Sequence, residues 1–186
     1  MSVSEKILTI TGASGSGKST IARILTEEFS YRRVVTCTSR PPREREQDGI
    51  DYHFRNRDVL LGMKERGELL APTEFAGNIY GIPASEFEDK GDGKFPVVVL
   101  DTDGVREMKE KFRDKVFSAY IRISPKEALR RMTLRDGEEA AMKRQESDKQ
   151  AGLFLTEENA FLFDLVVPNN KSATAARKTD EALRKS

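Results

Sequence analysis

The residues from Gly12 to Ser19 read Gly-Ala-Ser-Gly-Ser-Gly-Lys-Ser and match the pattern G-x-x-x-x-G-K-[ST], which is typical of a loop that holds nucleotide phosphates. In such a loop the glycines let backbone N–H groups turn inward towards phosphate oxygens, and the dipole of the following helix attracts the same anion. Lys18 is predicted to neutralise the β- and γ-phosphates, and the Ser19 hydroxyl to bind Mg²⁺. The predicted contacts to the donor nucleotide here are Gly12, Ala13, Ser14, Gly15, Ser16, Gly17, Lys18, Ser19 and Thr20.

The segments on either side of this loop have the character that it requires. Lys6 to Thr11 (KILTIT) is a short run rich in β-branched residues, which is typical of a buried strand. From Thr20 onward (TIARILTEEF) the apolar residues recur at helical spacing, so a helix is predicted directly after the loop. This order of strand, loop and helix favours a true phosphate loop over a chance glycine-rich turn.

Strand-like and helix-like segments alternate along the rest of the chain. The predicted strands after the first helix are short and almost continuously apolar: Arg33–Thr38, Phe95–Leu100, Val116–Ile123 and Asp164–Val167. A capping box, Ser124-Pro125-Lys126-Glu127, predicts that a helix begins there, and further helices are predicted over Val105–Phe112, Glu139–Gln150, Thr156–Phe163 and Ala173–Arg184. Apolar strands separated by helices predict an α/β fold with a central parallel sheet flanked by helices.

The composition limits the kinds of protein that this chain can be. Its 186 residues suit one α/β domain, and 32 Lys and Arg against 31 Asp and Glu give no general affinity for polyanions, so no nucleic-acid partner is expected. The single cysteine, Cys37, lies in an apolar run, which favours a buried structural thiol and a reducing cytoplasm. The first residues, MSVSEK, lack the apolar core of a signal sequence, and no apolar stretch is long enough to cross a membrane. We therefore expect a soluble cytoplasmic protein without a membrane partner; the oligomeric state has no signal in the sequence.

Two stretches depart from the alternation of strands and helices. Residues 36–88 hold several arginines and two tyrosines between glycine-containing turns, and are predicted to form an inserted substrate-binding subdomain. Residues 130–148 hold arginines and a lysine on both sides of a polar Asp-Gly-Glu turn, and are predicted to form a small mobile lid. The predicted core of the single domain then consists of residues 1–35, 89–129 and 149–186.

The insert has residues that could bind a second anion. Transfer of a phosphoryl group to a small phosphorylated acceptor requires such a site opposite the phosphate loop, because catalysis consists mostly of positioning and charge neutralisation. Arg40 and Arg43, three residues apart beside a prolyl turn, could supply this site together with Tyr52. An arginine fork matches phosphate oxygens in pairs, and a tyrosine hydroxyl adds one directed hydrogen bond.

Four further blocks of sequence resemble the guanylate kinase family. TSRPPREREQDGIDYHF (38–54) is similar to the family's acceptor segment, T-T-R-x-P-R-x-G-E-x-x-G-x-D-Y-x-F, and EFAGNIYG (74–81) is similar to E-x-x-G-x-Y-Y-G. LDTDGV (100–105) resembles L-D-I-D-x-x-G-V, and FDLVVPNN (163–170) resembles F-D-x-V-I-x-N-D. With the loop and the lid, these blocks follow the family order over almost the whole chain. The resemblance implies a P-loop kinase that transfers the γ-phosphoryl group of ATP to GMP, dGMP or a related nucleoside monophosphate.

The resemblance also implies roles for individual residues. Asn169 matches the loop that packs beside the adenine of ATP, and Asp101 is implied as the partner of Ser19 in binding Mg²⁺ through water. The residues implied to bind the acceptor are Thr36, Arg40, Arg43, Tyr52, Glu74, Tyr80 and Asp103. The residues implied to act on the transferring phosphoryl group are Lys18, Arg40 and the lid arginines Arg131, Arg135 and Arg144.

Two positions depart from the family pattern where the base is read. The family has a glutamate that accepts hydrogen bonds from guanine N1–H and the N2 amine, and a small hydroxyl residue after Y-G; this chain has Ala71 and Ile82. A site built to bond an N–H discriminates strongly and an apolar contact weakly, so we expect weaker guanine preference or preference for another base. Glu74 or Glu68 could take over the missing contact through a shift of the chain.

Two alternatives stay open at this point. A kinase of the same fold could act on ribose 1,5-bisphosphate, which needs no base-reading glutamate, although the D-Y-x-F and L-D-x-D elements fit nucleotide kinases better. A non-catalytic guanylate kinase-like binding module is the less favoured alternative, because such modules typically lose the phosphate loop, whereas this chain keeps Lys18, Ser19 and the lid arginines.

Overall fold

A computed structural model describes residues 6–42, 44, 46–75, 77–88 and 90–186 of the chain. The strands are β1 (Ile7–Thr11), β2 (Tyr31–Arg33), β3 (Cys37–Thr38), β4 (His53–Phe54), β5 (Leu69–Phe75), β6 (Asn78–Pro83), β7 (Phe95–Val99), β8 (Val116–Arg122) and β9 (Leu165–Pro168). The α-helices are α1 (Lys18–Glu28), α2 (Arg57–Glu65), α3 (Thr102–Phe112), α4 (Pro125–Asp136), α5 (Glu138–Gln150), α6 (Glu157–Ala160) and α7 (Ser172–Lys185). Short 3₁₀ helices lie at Ala84–Phe87 and Arg113–Lys115.

The central sheet is parallel and has the strand order β2-β7-β1-β8-β9. Strand β1 lies in the middle of the sheet, and all of its residues are buried. The phosphate loop follows the carboxyl end of β1 and therefore lies at the centre of that edge of the sheet. Apolar residues of α1 and α7 pack on one face, while α3 packs on the other beside the base of the insert. The predicted α/β class, with a parallel sheet flanked by helices, is confirmed.

The insert contains a second sheet with the strand order β4-β3-β6-β5. Its small apolar cluster consists of Cys37, Leu60, Leu69 and Ile79, with Met63 packed against it. Burial raises the pKa of the Cys37 thiol to about 11, which agrees with the predicted structural role of this side chain.

The single strand predicted over Arg33–Thr38 is wrong, because the chain passes between the two sheets within it. Val34 still donates its N–H to the Val97 carbonyl at 3.0 Å, but the N–H of Val35 turns to the carboxylate of Glu86 at 3.2 Å. An apolar run has the same appearance in one strand or in two, so the sequence pattern alone does not reveal this crossing.

Helix boundaries also differ from the prediction, for local reasons. Helix α3 begins earlier than predicted because the Asp101 side chain caps it, accepting from the Gly104 N–H at 2.7 Å. Ser124 caps α4 as predicted, yet the Glu127 carboxylate pairs with arginines instead of completing the capping box. The helix predicted over Thr156–Phe163 spans only Glu157–Ala160. Across the described ranges, none of the helices combines the length and the apolar character needed to traverse a bilayer.

Candidate active site

The phosphate loop joins β1 to α1 and is shaped by glycines that no other residue could replace without strain. Gly15 has φ +76°, and a Cβ there would lie 2.7 Å from the Ala128 carbonyl oxygen. Gly17 has φ +91°, and a Cβ there would lie 2.4 Å from Nδ2 of Asn169. Asn169 is buried and donates from Nδ2 to the Ser16 carbonyl at 2.6 Å, so its side chain binds the backbone of the phosphate loop.

Lys18 folds back over the loop that precedes it. Its Nζ donates to the carbonyl oxygens of Gly12 at 2.6 Å and Ala13 at 3.0 Å. Burial lowers the pKa of Lys18 to about 8, with the nearby charges of Arg144 and Arg135 acting in the same direction and Asp148 opposing them. In the protein without ligand, about half of Lys18 is therefore neutral near pH 8, and the side chain is almost fully charged only about one pH unit lower.

A buried carboxylate from helix α5 accepts hydrogen bonds from the phosphate loop. Asp148, near the end of α5, accepts from the Ser14 backbone N–H at 2.5 Å and from the Ser14 hydroxyl at 2.9 Å. Arg144, one helical turn earlier, donates from Nε to the same Ser14 hydroxyl at 2.9 Å. Asp148 was missed by sequence reasoning; its signal is an acidic residue one helical turn after Arg144.

The insert has a cationic side chain, Arg40, which could bind an anion and which holds an internal carboxylate in this structure. The Arg40 guanidinium makes a bidentate contact with Glu46, with both N–O distances at 2.8 Å. It lies 5.5 Å from the centroid of the Tyr52 ring, and the hydrogen bonds that it donates, first to Glu46 and then to Tyr80, raise the pKa of Arg40. Arg43, the other arginine predicted for this site, lies outside the described residues.

One cleft of about 490 Å³ runs from the phosphate loop to Tyr52 and Tyr80, and the Arg40 guanidinium lies beside the Tyr52 ring. The phosphate-loop end of the cleft is lined by Gly12, Ser14 and Lys18, with Arg144 and Asp148 of helix α5. Its opposite end is lined by residues of the insert and β7 that include Thr36, Tyr52, Ala71, Tyr80, Ile82, Val99 and Leu100. Asp101 also lines the cleft.

Other predicted residues lie away from this cleft. Arg131 lines a separate cavity of about 490 Å³ beside Asn169, donating to Glu127 at 2.9 Å and to the Asn169 carbonyl at 3.3 Å. The hydrogen bond from Arg130, followed by that from Arg131, lowers the pKa of Glu127 to about 2. Arg135 is largely exposed and paired with Asp136 at 2.6 Å, yet it is near enough to influence Lys18.

Two residues predicted to bind the acceptor point elsewhere. The Glu74 carboxylate accepts from Arg57 at 2.9 Å, and its side chain is 58% exposed. Asp103 lies in the first turn of α3 and is exposed. Neither is among the described residues that line the cleft.

Ala71 has an unusual backbone at the apolar end of the cleft. It lies in β5 at an irregularity of the β5–β6 pairing, with φ +45°, which is rare for any residue with a Cβ. Its N–H donates to Oε1 of Glu107, on α3, at 2.7 Å. Ile82 opposite is almost fully buried.

Two anion-binding regions that face each other across one cleft, with the phosphate loop at the end of the central strand, are the arrangement of a P-loop phosphotransferase. Residues 4–186 match the family model described as guanylate kinase. The chain belongs to the guanylate kinase family.

Individual relatives agree with this assignment. A guanylate kinase of Prochlorococcus marinus is 32% identical over 177 residues, which cover 93% of this chain and 94% of that protein. A guanylate kinase of Enterococcus faecalis is 35% identical over 114 residues, and that match spans 60% of this chain but only 56% of the relative. The crystal structure of guanylate kinase from Anaplasma phagocytophilum superposes with a TM-score of 0.68 at 28% identity, covering 97% of this chain and 85% of that one.

Proposed function

We propose that this chain transfers the γ-phosphoryl group of ATP to the 5′-phosphate of GMP or dGMP, giving ADP and the nucleoside diphosphate. One observation carries the proposal: a single cleft runs from the phosphate loop, at Ser14 and Lys18, to the tyrosine side chains of the insert, at Tyr52 and Tyr80, and the Arg40 guanidinium lies 5.5 Å from the Tyr52 ring centroid. Relatives named guanylate kinase support the same acceptor, and a phosphorylated sugar or a purely binding role is not favoured.

The reaction needs positioning and charge neutralisation more than proton transfer. An oxygen of the acceptor phosphate forms a bond to the γ-phosphorus as the bond from that phosphorus to the β,γ-bridging oxygen breaks. The second pKa of a phosphate monoester is about 6, so the attacking oxygen is already deprotonated at neutral pH and no general base is required. Arg40, Tyr52 and Tyr80 are suited to orient the acceptor, and Lys18 is suited to stabilise the charge on the donor.

The division of the chain follows from these roles. Residues 36–88 form the acceptor-binding insert in this proposal, residues 130–148 form the lid, and residues 1–35, 89–129 and 149–186 form the core. Arg144 already contacts the phosphate loop. Arg131 is paired with Glu127 and Arg135 with Asp136. In this proposal, a movement of the lid breaks these pairs and brings both arginines to the transferring phosphoryl group.

The residues at the sheet edge have the oxygen donors that Mg²⁺ prefers. Asp101 follows the strand next to β1, and only its Oδ1 is used in capping α3. Ser19 lies exposed at the start of α1. These two residues would hold the ion beside the phosphates, where it would neutralise charge. A cytoplasmic location is part of the same proposal, supported by the near-neutral charge and the buried thiol.

An acceptor panel tests the proposal directly. ADP release, measured by a coupled assay with ATP and Mg²⁺, is expected to be fastest with GMP or dGMP when these are compared with AMP, UMP, dTMP, CMP and ribose 1,5-bisphosphate. Clear preference for another acceptor would reassign the substrate, and no turnover with any acceptor would remove the enzymatic function.

A further inference from the structure

The apolar end of the cleft has few groups that could recognise a guanine base. Guanine presents two donors on its Watson–Crick edge, N1–H and the N2 amine, and a donor left without an acceptor in a closed site is unfavourable. Among the described lining residues at this end, Ala71, Ile82, Val99 and Leu100 are apolar, and Thr36, Thr73, Tyr52 and Tyr80 bring hydroxyl groups but no carboxylate that could accept two parallel N–H groups. The carboxylates among the described lining residues, Asp101 and Asp148, accept hydrogen bonds from α3 and from the phosphate loop respectively.

Glu107 brings a carboxylate to this end from outside the strand. It lies on α3, and its Oε1 accepts from the Ala71 N–H at 2.7 Å, so the carboxylate is next to a residue that lines the cleft. Glu107 is half-buried, and its Oε2 has no hydrogen bond or ion pair within the described residues.

The chemistry of this carboxylate matches the guanine edge. An ionised carboxylate has about four lone-pair positions and can accept from two parallel donors. After the bond from Ala71, one position on Oε1 and both positions on Oε2 remain, which is enough for N1–H and one N2–H. Adenine has no N–H at position 1, so it could not satisfy the same group.

The backbone of β5 is arranged to admit this side chain. The left-handed conformation of Ala71 turns its N–H away from the β6 ladder, whose register shifts between Leu70 and Thr73. That N–H is satisfied by Glu107 instead. The irregularity therefore places a carboxylate from α3 beside a position where the strand itself has only a methyl group.

We propose that Glu107 is a specificity-determining residue that recognises N1–H and the N2 amine of the acceptor guanine. The inference rests on the proposed function and names a residue of the same acceptor site. Glu107 supplies, from α3, the acceptor that Ala71 lacks.

Equilibrium binding of two acceptors tests this assignment. Inosine 5′-monophosphate keeps N1–H and lacks the N2 amine, so the ratio of its Kd to that of GMP, measured by titration calorimetry, reports the N2 contact. We expect the unaltered chain to bind GMP on the order of tenfold more tightly, and Glu107→Gln to bring the ratio close to one mainly by weakening GMP. Glu110→Gln, an exposed residue on the same helix, is the matched control and should keep the original ratio.

A purely structural role for Glu107 would give a different result. If Glu107 only braces β5, Glu107→Gln weakens both nucleotides equally, and an unchanged ratio of this kind overturns the inference. Should Glu107→Gln not fold by circular dichroism, Glu107→Asp gives the same readout, because its shorter stem withdraws the carboxylate from Ala71, which lines the cleft. Failure of the unaltered chain to phosphorylate GMP would contradict the proposed function itself, whereas normal GMP turnover with an unchanged ratio contradicts only the role of Glu107.

Discussion

The two anion-binding regions of the cleft each hold an internal carboxylate, but they hold it differently. Arg40 binds Glu46, six residues away on the same segment, and the two side chains are 16% and 19% exposed. Ser14 binds Asp148, which comes from the lid 134 residues along the chain and has a side chain only 2% exposed. Under the proposed function, an acceptor phosphate would displace Glu46 by a rotation of its side chain, whereas a donor phosphate that takes the Ser14 donors would displace a buried carboxylate held on helix α5. We therefore expect donor binding to be coupled to α5 more strongly than acceptor binding.

The largest effect is expected at the donor region. Lys18→Ala removes the cation of the phosphate loop, and kcat/KM for ATP should fall by about 10² to 10³, a range seen when one stabilising group is lost. Steady-state ADP release measures the effect, and Lys178→Ala, an exposed lysine on α7, serves as the matched control. A Lys18→Ala variant with full activity would show that the loop does not bind the donor.

The acceptor region should respond with a change in one substrate only. Arg40→Ala removes the bidentate fork, so KM for GMP should rise by about 10- to 100-fold, while KM for ATP stays nearly constant. Measuring both KM values in the same assay separates the regions. An equal rise in both would indicate that Arg40 supports the fold of the whole cleft.

The donor region should also depend on pH through Lys18. Its pKa is lowered to about 8, and a bound triphosphate favours the charged lysine, so binding raises this pKa and takes up a proton above pH 8. The Kd for ATP should therefore be nearly constant from pH 7 to 8 and then rise by up to about tenfold per pH unit. Titration calorimetry in buffers of different ionisation enthalpy measures both the Kd and the proton uptake.

The Asp148→Asn variant tests the cause of this pH dependence. Its Kd for ATP should begin to rise at a lower pH, because the charge of Asp148 raises the pKa of Lys18. A Kd for ATP that does not change with pH in the unaltered chain would disprove the role of Lys18.

Neutralising the two internal carboxylates gives the smallest effects and tests the comparison itself. Asp148→Asn should tighten ATP binding by about tenfold and increase hydrogen exchange in α5, since a buried anion no longer competes for the Ser14 donors. Glu46→Gln should tighten GMP binding by only about threefold, as expected for a partly exposed ion pair. The comparison fails if Glu46→Gln has the larger effect or if Asp148→Asn leaves α5 unchanged.

Local patterns predicted the donor region well. The loop from Gly12 to Ser19 is defined by consecutive residues, and strand β1 and helix α1 follow from apolar periodicity beside it. Apolar strands alternating with helices predicted the parallel sheet, and the blocks that resemble guanylate kinases gave the family. Roles assigned to individual residues from that resemblance, such as Glu74 and Asp103, stay predictions.

Long-range pairings account for what the sequence did not reveal. The contacts of Ser14 with Asp148 and of Ala71 with Glu107 join residues 134 and 36 positions apart. The passage of the chain between the two sheets after Arg33 depends on Glu86, far along the insert. Each of these pairings is decided by tertiary packing, which a single sequence without its relatives does not encode in any local pattern.

The strands β3 and β4 of the insert are only two residues long, and the apolar cluster beneath them is small. The β3–β4 pair has few cross-strand bonds to lose, in contrast to the central sheet, where β1 is bonded on both sides. The part of the insert around this pair and its apolar cluster should therefore behave as a local foldon that opens and recloses many times while the parallel sheet stays intact. Substrate entry would then depend on this local unfolding equilibrium. Mutations of Leu60 or Ile79, which lie in the apolar cluster, would therefore alter acceptor affinity although neither side chain is proposed to contact the acceptor.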